Sequence, residues 1–224
     1  MLQPFDTTSR VRTAVVTGRH PFDVPNFHML FHHIPEIEYY PQHMEDWACD
    51  AAGVRSRYDV VVFYHFHRET PTGEGDWWDA PTKPALETLG TTEQGIVVLH
   101  HALLAFPQWD FWTDVTGLPQ REEFGFHIGE KLQVDVADPV HPITRGLDSW
   151  EITDETYTTD EPTDDCHVLL TTDHDPSMKA LAWTRQYEKS PVFCLQLGHD
   201  NLAWSEPNFR TVLQNGIMWA AGRI

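Results

Sequence analysis

The sequence predicts an α/β domain on a mainly parallel sheet, with a mixed or partly antiparallel edge formed by later strands. Three observations carry this. Strand-like and helix-like segments alternate through the first half of the chain, as in successive βαβ units. Two runs, YDVVVFYHF (58–66) and GIVVLHH (95–101), are almost continuously apolar, as strands covered on both faces are. Beyond residue 130 the texture changes to short strand-like runs.

Taken in order, MLQPFDTTSR reads as a lead-in over 1–10, and VRTAVVTG (11–18) as a first strand ending in glycine. NFHMLFHHI (26–34) follows as a helix with Pro25 suited to its first turn. EIEYYP (36–41) is a second strand and HMEDWACDAA (43–52) a second helix. The apolar run 58–66 is the third strand, and a Gly/Pro/Asp/Trp-rich loop over 69–82 leads to a short helix over 83–94. The run 95–101 is the central strand, followed by a helix over 107–117 closed by Gly117. KLQVDV, WEITDETY, CHVLLTT, MKALAWT and PVFCLQLGH are later strands. The amphipathic spacing of Phe209, Val212, Leu213, Ile217 and Ala220 predicts a closing helix over 207–222. All of residues 11–224 fit one such domain.

Composition excludes several function classes. Of 224 residues 41% are hydrophobic, with no run of transmembrane length. No secretory leader pattern opens the chain, so the cytoplasm is the expected compartment. Three scattered cysteines, Cys49, Cys166 and Cys194, lack disulfide-framework or zinc-knuckle spacing. A formal charge of −19, from 34 acidic against 15 basic residues, disfavours nucleic acid and anionic lipid as partners.

Fourteen histidines and nine tryptophans are the telling surplus. In an open α/β sheet ligands bind outside the carboxyl ends of the strands, and imidazoles gather there. His20 follows the first strand, His65 and His67 share one face of the third, and His100 and His101 end the fourth. His127 lies in the loop EEFGFHIG, and His199 ends the last strand. Imidazoles from several strand ends suit a divalent metal or proton transfer near neutrality. His65-x-His67 reads more readily as a half-buried polar pair than as a metal site, and His28, His32 and His33 as surface residues. Asp154 and Glu155, just past a strand, offer a metal ligand or a base, with the Tyr157 phenol as donor. Trp109, next to the strand-to-helix elbow, is the candidate stacking wall for a sugar or a base. No Ser or Cys lies between 95 and 105, so nucleophile-elbow chemistry is excluded there.

The ordered segments TGRHPF, YDVVVFY, GIVVLHHA, WDFWTDVTG, FGFH, DPVHPITRGL, DETY, AWTRQY, LGHD and NGIMWAAG resemble the ThuA-like family of trehalose-utilisation proteins, from about residue 11 to 222. That resemblance implies the fold of class I glutamine amidotransferases, a flavodoxin-like three-layer α/β/α sandwich. It places His100 where an amidotransferase carries cysteine, so glutamine amidotransferase activity is not expected. It matches His20, His100, His127, Glu155, Tyr157 and His199 to the family's polar signature. The chain departs from the pattern in lacking a glycine-rich approach to the elbow, and in its extra His65-x-His67 pair.

The resulting expectation is an enzyme acting on a disaccharide or 3-keto-sugar by hydrolysis, isomerisation or elimination. His100, His127, Glu155 and Tyr157 are its catalytic candidates. His20, Asp154 and Trp109 are its substrate-binding candidates. His100, His127 and His199 are its metal candidates, with zinc the first metal expected and no nucleotide cofactor. The alternative is a non-catalytic sugar-binding accessory of a nicotinamide-dependent sugar oxidoreductase. A homo-oligomer fits either reading.

Overall fold

The computed structural model describes residues 9–51 and 53–224, so most of the expected lead-in lies outside the described residues. Nine strands among the described residues form one mixed sheet. They are β1 (Val11–Gly18), β2 (Ile37–His43), β3 (Val60–His65), β4 (Gly95–Leu99), β5 (Gly125–Val136), β6 (Trp150–Thr158), β7 (His167–Thr171), β8 (Ala180–Tyr187) and β9 (Ser190–Leu195). Their spatial order is β2-β1-β3-β4-β9-β8-β7-β5-β6. The first five in that order pair in parallel, and every ladder from β9 to β8 onward is antiparallel. The expected parallel core with later strands at one side is the observed architecture.

Six α-helices among the described residues accompany the sheet: α1 (Val24–His32), α2 (Met44–Cys49), α3 (Thr82–Leu86), α4 (Asp110–Thr116), α5 (Asn201–Ser205) and α6 (Pro207–Ala220). The period of two along the central strands divides the core into two layers. Val60, Val62 and Tyr64 pack with Val97 and Leu99 against Phe27, Phe31, Leu213 and Ile217 of α1 and α6. Their neighbours Val61 and Phe63, with Ile96 and Val98, face Met44, Trp47, Leu86 and Trp112 of α2, α3 and α4. Helices on both faces are what fully buried parallel strands require. Side-chain oxygens start three of the helices: Asp23 accepts from Asn26 N, Asp200 from Leu202 N, and Glu206 from Phe209 N ahead of Pro207. No helix among the described residues is long and apolar enough to cross a membrane.

Four local expectations differ from the structure. β4 stops at Leu99, because His100 takes φ +54° and leaves the extended region; a 3₁₀ turn, His100–Leu104, follows. The segment containing His127 is strand rather than loop, since β5 begins at Gly125 and pairs with β6. Asp154 and Glu155 lie inside β6, not beyond it. Helix α5, five residues long, has no periodicity to reveal it.

The elbow after β4 is held from beneath by two arginines. Arg121, 1% exposed, donates from Nε to Ala105 O at 3.1 Å and from Nη2 to Phe106 O and Trp109 O at 3.0 Å each. Arg68 donates to the Arg121 carbonyl at 2.9 Å and to Leu104 O. Burial lowers the Arg121 guanidinium to about 10, so it stays charged and its field is met by carbonyl dipoles. Arg121→Met strands these carbonyls, each unmet buried acceptor costing about 1–3 kcal/mol. Urea denaturation is expected to show a loss of at least about 3 kcal/mol; a loss below about 1 kcal/mol contradicts the role given to this side chain.

Candidate functional site

The carboxyl ends of β1, β4 and β9 deliver histidines to one place, and β6 crosses above them. His100 leaves β4 on the positive-φ turn, with its ring fully buried. Its Nδ1 lies 2.6 Å from the carbonyl of Gln196, one residue past β9, and donates to it. That bond places the proton on Nδ1 and leaves Nε2 as a lone pair. The Tyr157 hydroxyl donates to Nε2 at 2.7 Å. Glu155 Oε1 stands 3.6 Å from the same nitrogen, and Glu155 Oε2 stands 3.5 Å from His199 Nε2. His100, Glu155 and His199 thus offer three ligand atoms within 4.8 Å of one another.

Asp154 builds this arrangement without facing it. Its buried carboxylate accepts from the backbone N–H of Gly198 at 2.6 Å, His199 at 3.0 Å and Glu155 at 2.8 Å. It therefore ties β6 to the turn that carries His199. Burial raises its pKa, opposed by His100 and by those three N–H groups. Gln196 adds a second tie, donating from Nε2 to Glu155 O at 2.9 Å.

His20 closes the remaining side. Its ring lies 4.2 Å from His101 and 5.9 Å from His199. His101 donates from Nδ1 to His65 O at 3.2 Å, and its Nε2 is buried without a partner among the described residues, as are His20 Nδ1 and His199 Nδ1. Burial first, then the neighbouring imidazoles, lowers the pKa of His20 and drives that of His101 far down. Both rings are neutral at pH 7. Glu155 is raised by burial but lowered further by His100, His199 and Tyr157, so the net direction is down and it is ionised. Tyr157 is pushed well up by burial and the Glu155 charge, so it keeps its proton.

The structure thus brings together His20, His100, Glu155, Tyr157 and His199 from the residues expected. Three others sit elsewhere. His127 pairs across the ladder with Thr156, so it shares the Thr156 face while Glu155 and Tyr157 point to the other. It is exposed, and Glu155 takes the third position in the metal set in its place. Asp154 has no face toward a substrate. Trp109 stacks on Phe111 at 4.5 Å and against Phe106, in the α2–α4 layer. Sequence reasoning misses Gln196 and the rings Phe66 and Phe124. A glutamine at the end of an apolar strand, in LQLGH, is the available signal for the first. None of the three cysteines belongs to the site, and burial raises the thiols of Cys166 and Cys194.

A larger cavity among the described residues, about 440 Å³, is lined by Arg55, Tyr58, Asp59 and Gln94. It lies at the opposite, amino end of β3 and β4, away from the end where α/β sheets bind ligands.

Comparison with known proteins places these features in context. The family model described as ThuA, trehalose utilisation, matches residues 42–220. A ThuA-like protein from Parabacteroides merdae superposes with a TM-score of 0.76 at 21% identity, covering 96% of this chain and 91% of that one. A cytoplasmic protein from Salmonella typhimurium follows the same fold with a TM-score of 0.65 at 11% identity, covering 92% and 98%. A candidate GMP synthase component from Thermoplasma acidophilum, with a TM-score of 0.56, 10% identity and 94% of each chain covered, identifies the fold as that of class I glutamine amidotransferases. No curated protein sequence matches the chain.

The buried imidazoles set a pH dependence. His65, His101, His20 and His67 all have lowered pKa values, with burial the largest cause in each. Below about 6.5 the unfolded chain binds protons that the folded chain refuses, so stability is full above that pH and falls below it. Asp154, raised by burial, acts in the opposite sense, one carboxyl against four imidazoles. Urea denaturation at pH 5.5 is expected to give a stability at least about 2 kcal/mol below that at pH 7.5; equal values contradict neutral burial of these rings.

Proposed function

The chain belongs to the ThuA family of trehalose utilisation, and from that premise we propose that it is an enzyme of disaccharide or 3-keto-sugar catabolism that moves a proton at the His100–Glu155–His199 group with the help of a divalent metal. One observation carries the metal. His100, Glu155 and His199 bring three ligand atoms within 4.8 Å of one another, and Tyr157, which donates to His100 Nε2, is also within reach of Glu155, to which its hydroxyl turns when an ion takes that nitrogen. Two imidazoles and one carboxylate form a donor set that suits zinc or ferrous iron. When bound, such an ion polarises a carbonyl or hydroxyl oxygen of the sugar.

The chain's own groups supply the rest. The Gln196 carbonyl fixes the His100 tautomer, the outer-partner role that orients ligating imidazoles. Tyr157 carries a proton that it donates inward and holds against loss. His20 is neutral, half-buried and beside the group, in position to accept a proton from a substrate hydroxyl. The Tyr157 bond to His100 Nε2 also favours a second reading, in which Tyr157 and His100 exchange the proton as an acid–base pair without a metal. In either reading the protein works in the cytoplasm on a small saccharide, beside a nicotinamide-dependent sugar oxidoreductase.

Elemental analysis of untagged protein separates the two readings. Near-stoichiometric metal, zinc first, is expected in the wild type. Loss of a ligand in His100→Ala or Glu155→Gln is expected to weaken metal binding beyond the roughly 10–100-fold typical of losing an outer partner. Turnover of sugars is expected to fall in step. A folded, metal-free wild type whose turnover depends on His100 and Tyr157 establishes the acid–base pair instead. Full turnover in both variants contradicts both readings.

A further inference from the structure

The site is bounded by a closed circuit of aromatic rings, and the circuit has two chemical halves. Around it, the centroid distances are 6.1 Å from His20 to Phe66, 6.2 Å from Phe66 to Phe124, and 6.1 Å from Phe124 to Tyr157. They continue at 5.0 Å from Tyr157 to His100, 5.3 Å from His100 to His199, and 5.9 Å from His199 back to His20. His20, His199, His100 and Tyr157 are polar; Phe66 and Phe124 are purely apolar and only half-buried. All three phenylalanine contacts in the circuit are edge-on, at 81°, 86° and 87°.

The apolar half is rigid. The Arg68 guanidinium lies 5.4 Å from the Phe66 ring centre and 5.1 Å from that of Phe124. It is itself anchored by the carbonyls of Leu104, Arg121 and Glu122. Arg68 therefore bridges the two rings while its Nη1 and Nη2 donate to those three carbonyls.

We propose that Phe66 and Phe124 form the wall against which one pyranose ring of a saccharide packs its C–H face, while its hydroxyls meet the histidine and Tyr157 half. This rests on the function proposed above and assigns its substrate wall to two residues in place of Trp109. A ring with one C–H face and an equatorial rim of hydroxyls matches a collar whose halves are apolar and polar.

Isothermal titration with trehalose, sucrose and maltose tests the assignment, with metal content read on every sample. The wild type is expected to bind at least one of them. Phe66→Ala and Phe124→Ala are each expected to weaken that binding roughly tenfold, as loss of a buried aromatic contact does, with metal content unchanged. Should either alanine variant fail to fold, Phe66→Leu and Phe124→Leu keep the volume and remove the ring. In these, saturation transferred by NMR from aromatic protons to sugar C–H protons is expected to fall. Unchanged affinity and saturation transfer in folded variants overturns the wall while leaving the metal–histidine function standing. A wild type that binds neither these sugars nor their 3-keto forms overturns that function and the wall together.

Discussion

The hydrogen bond from His100 Nδ1 to the Gln196 carbonyl is the interaction on which the rest of the site depends. It joins the end of β4 to the end of β9, neighbouring parallel strands at the middle of the sheet. It also fixes which nitrogen of His100 is bare, and so turns a buried polar side chain into a directed lone pair. The positive φ of His100 makes the bond geometrically available, and the arginine-held carbonyls below the turn keep it so. In the amidotransferase fold this turn is where a nucleophile projects. Here the same geometry projects an imidazole in place of a cysteine.

The antiparallel half of the sheet has a matching purpose. β5 and β6 form a long ribbon beyond β7, and β6 returns over the carboxyl ends of the parallel strands. Without it, the histidines from β1, β4 and β9 have no carboxylate and no phenol. The backbone N–H groups of Gly198 and His199, both donating to Asp154, lock that ribbon to the His199 turn. Asp154 and Glu155 are adjacent and point to opposite faces of the strand, so one braces the assembly while the other faces the imidazoles.

Much of the fold is legible in the sequence because buried strands have an unmistakable composition. The runs at 11–18, 58–66 and 95–101 are too apolar for anything else, and their histidine ends mark the site. Membership of His20, His100, Glu155, Tyr157 and His199 follows from residue type and from place at strand ends. His127 misleads because a segment that reads as loop is strand: once it pairs with β6, a one-residue alternation sends its ring to the wrong face. Trp109 misleads because adjacency to the elbow in sequence does not say which side of the sheet a helix covers. Phe66 and Phe124 carry no pattern of their own, since their meeting requires β3 and the approach to β5 to be brought together. Gln196 acts through both its main-chain carbonyl and its side-chain Nε2, and only a polar residue closing an apolar strand in LQLGH hints at it.

Central to the proposed function is a His100 lone pair that passes from the Tyr157 hydroxyl to a cation shared with Glu155 and His199. X-ray absorption at the zinc edge, on wild-type protein loaded with one equivalent of zinc, tests this most directly. Two imidazole nitrogens and carboxylate oxygen at about 2.0–2.2 Å are expected, with one imidazole lost in His100→Ala. A first shell without imidazole, or one identical in that variant, contradicts the shared lone pair.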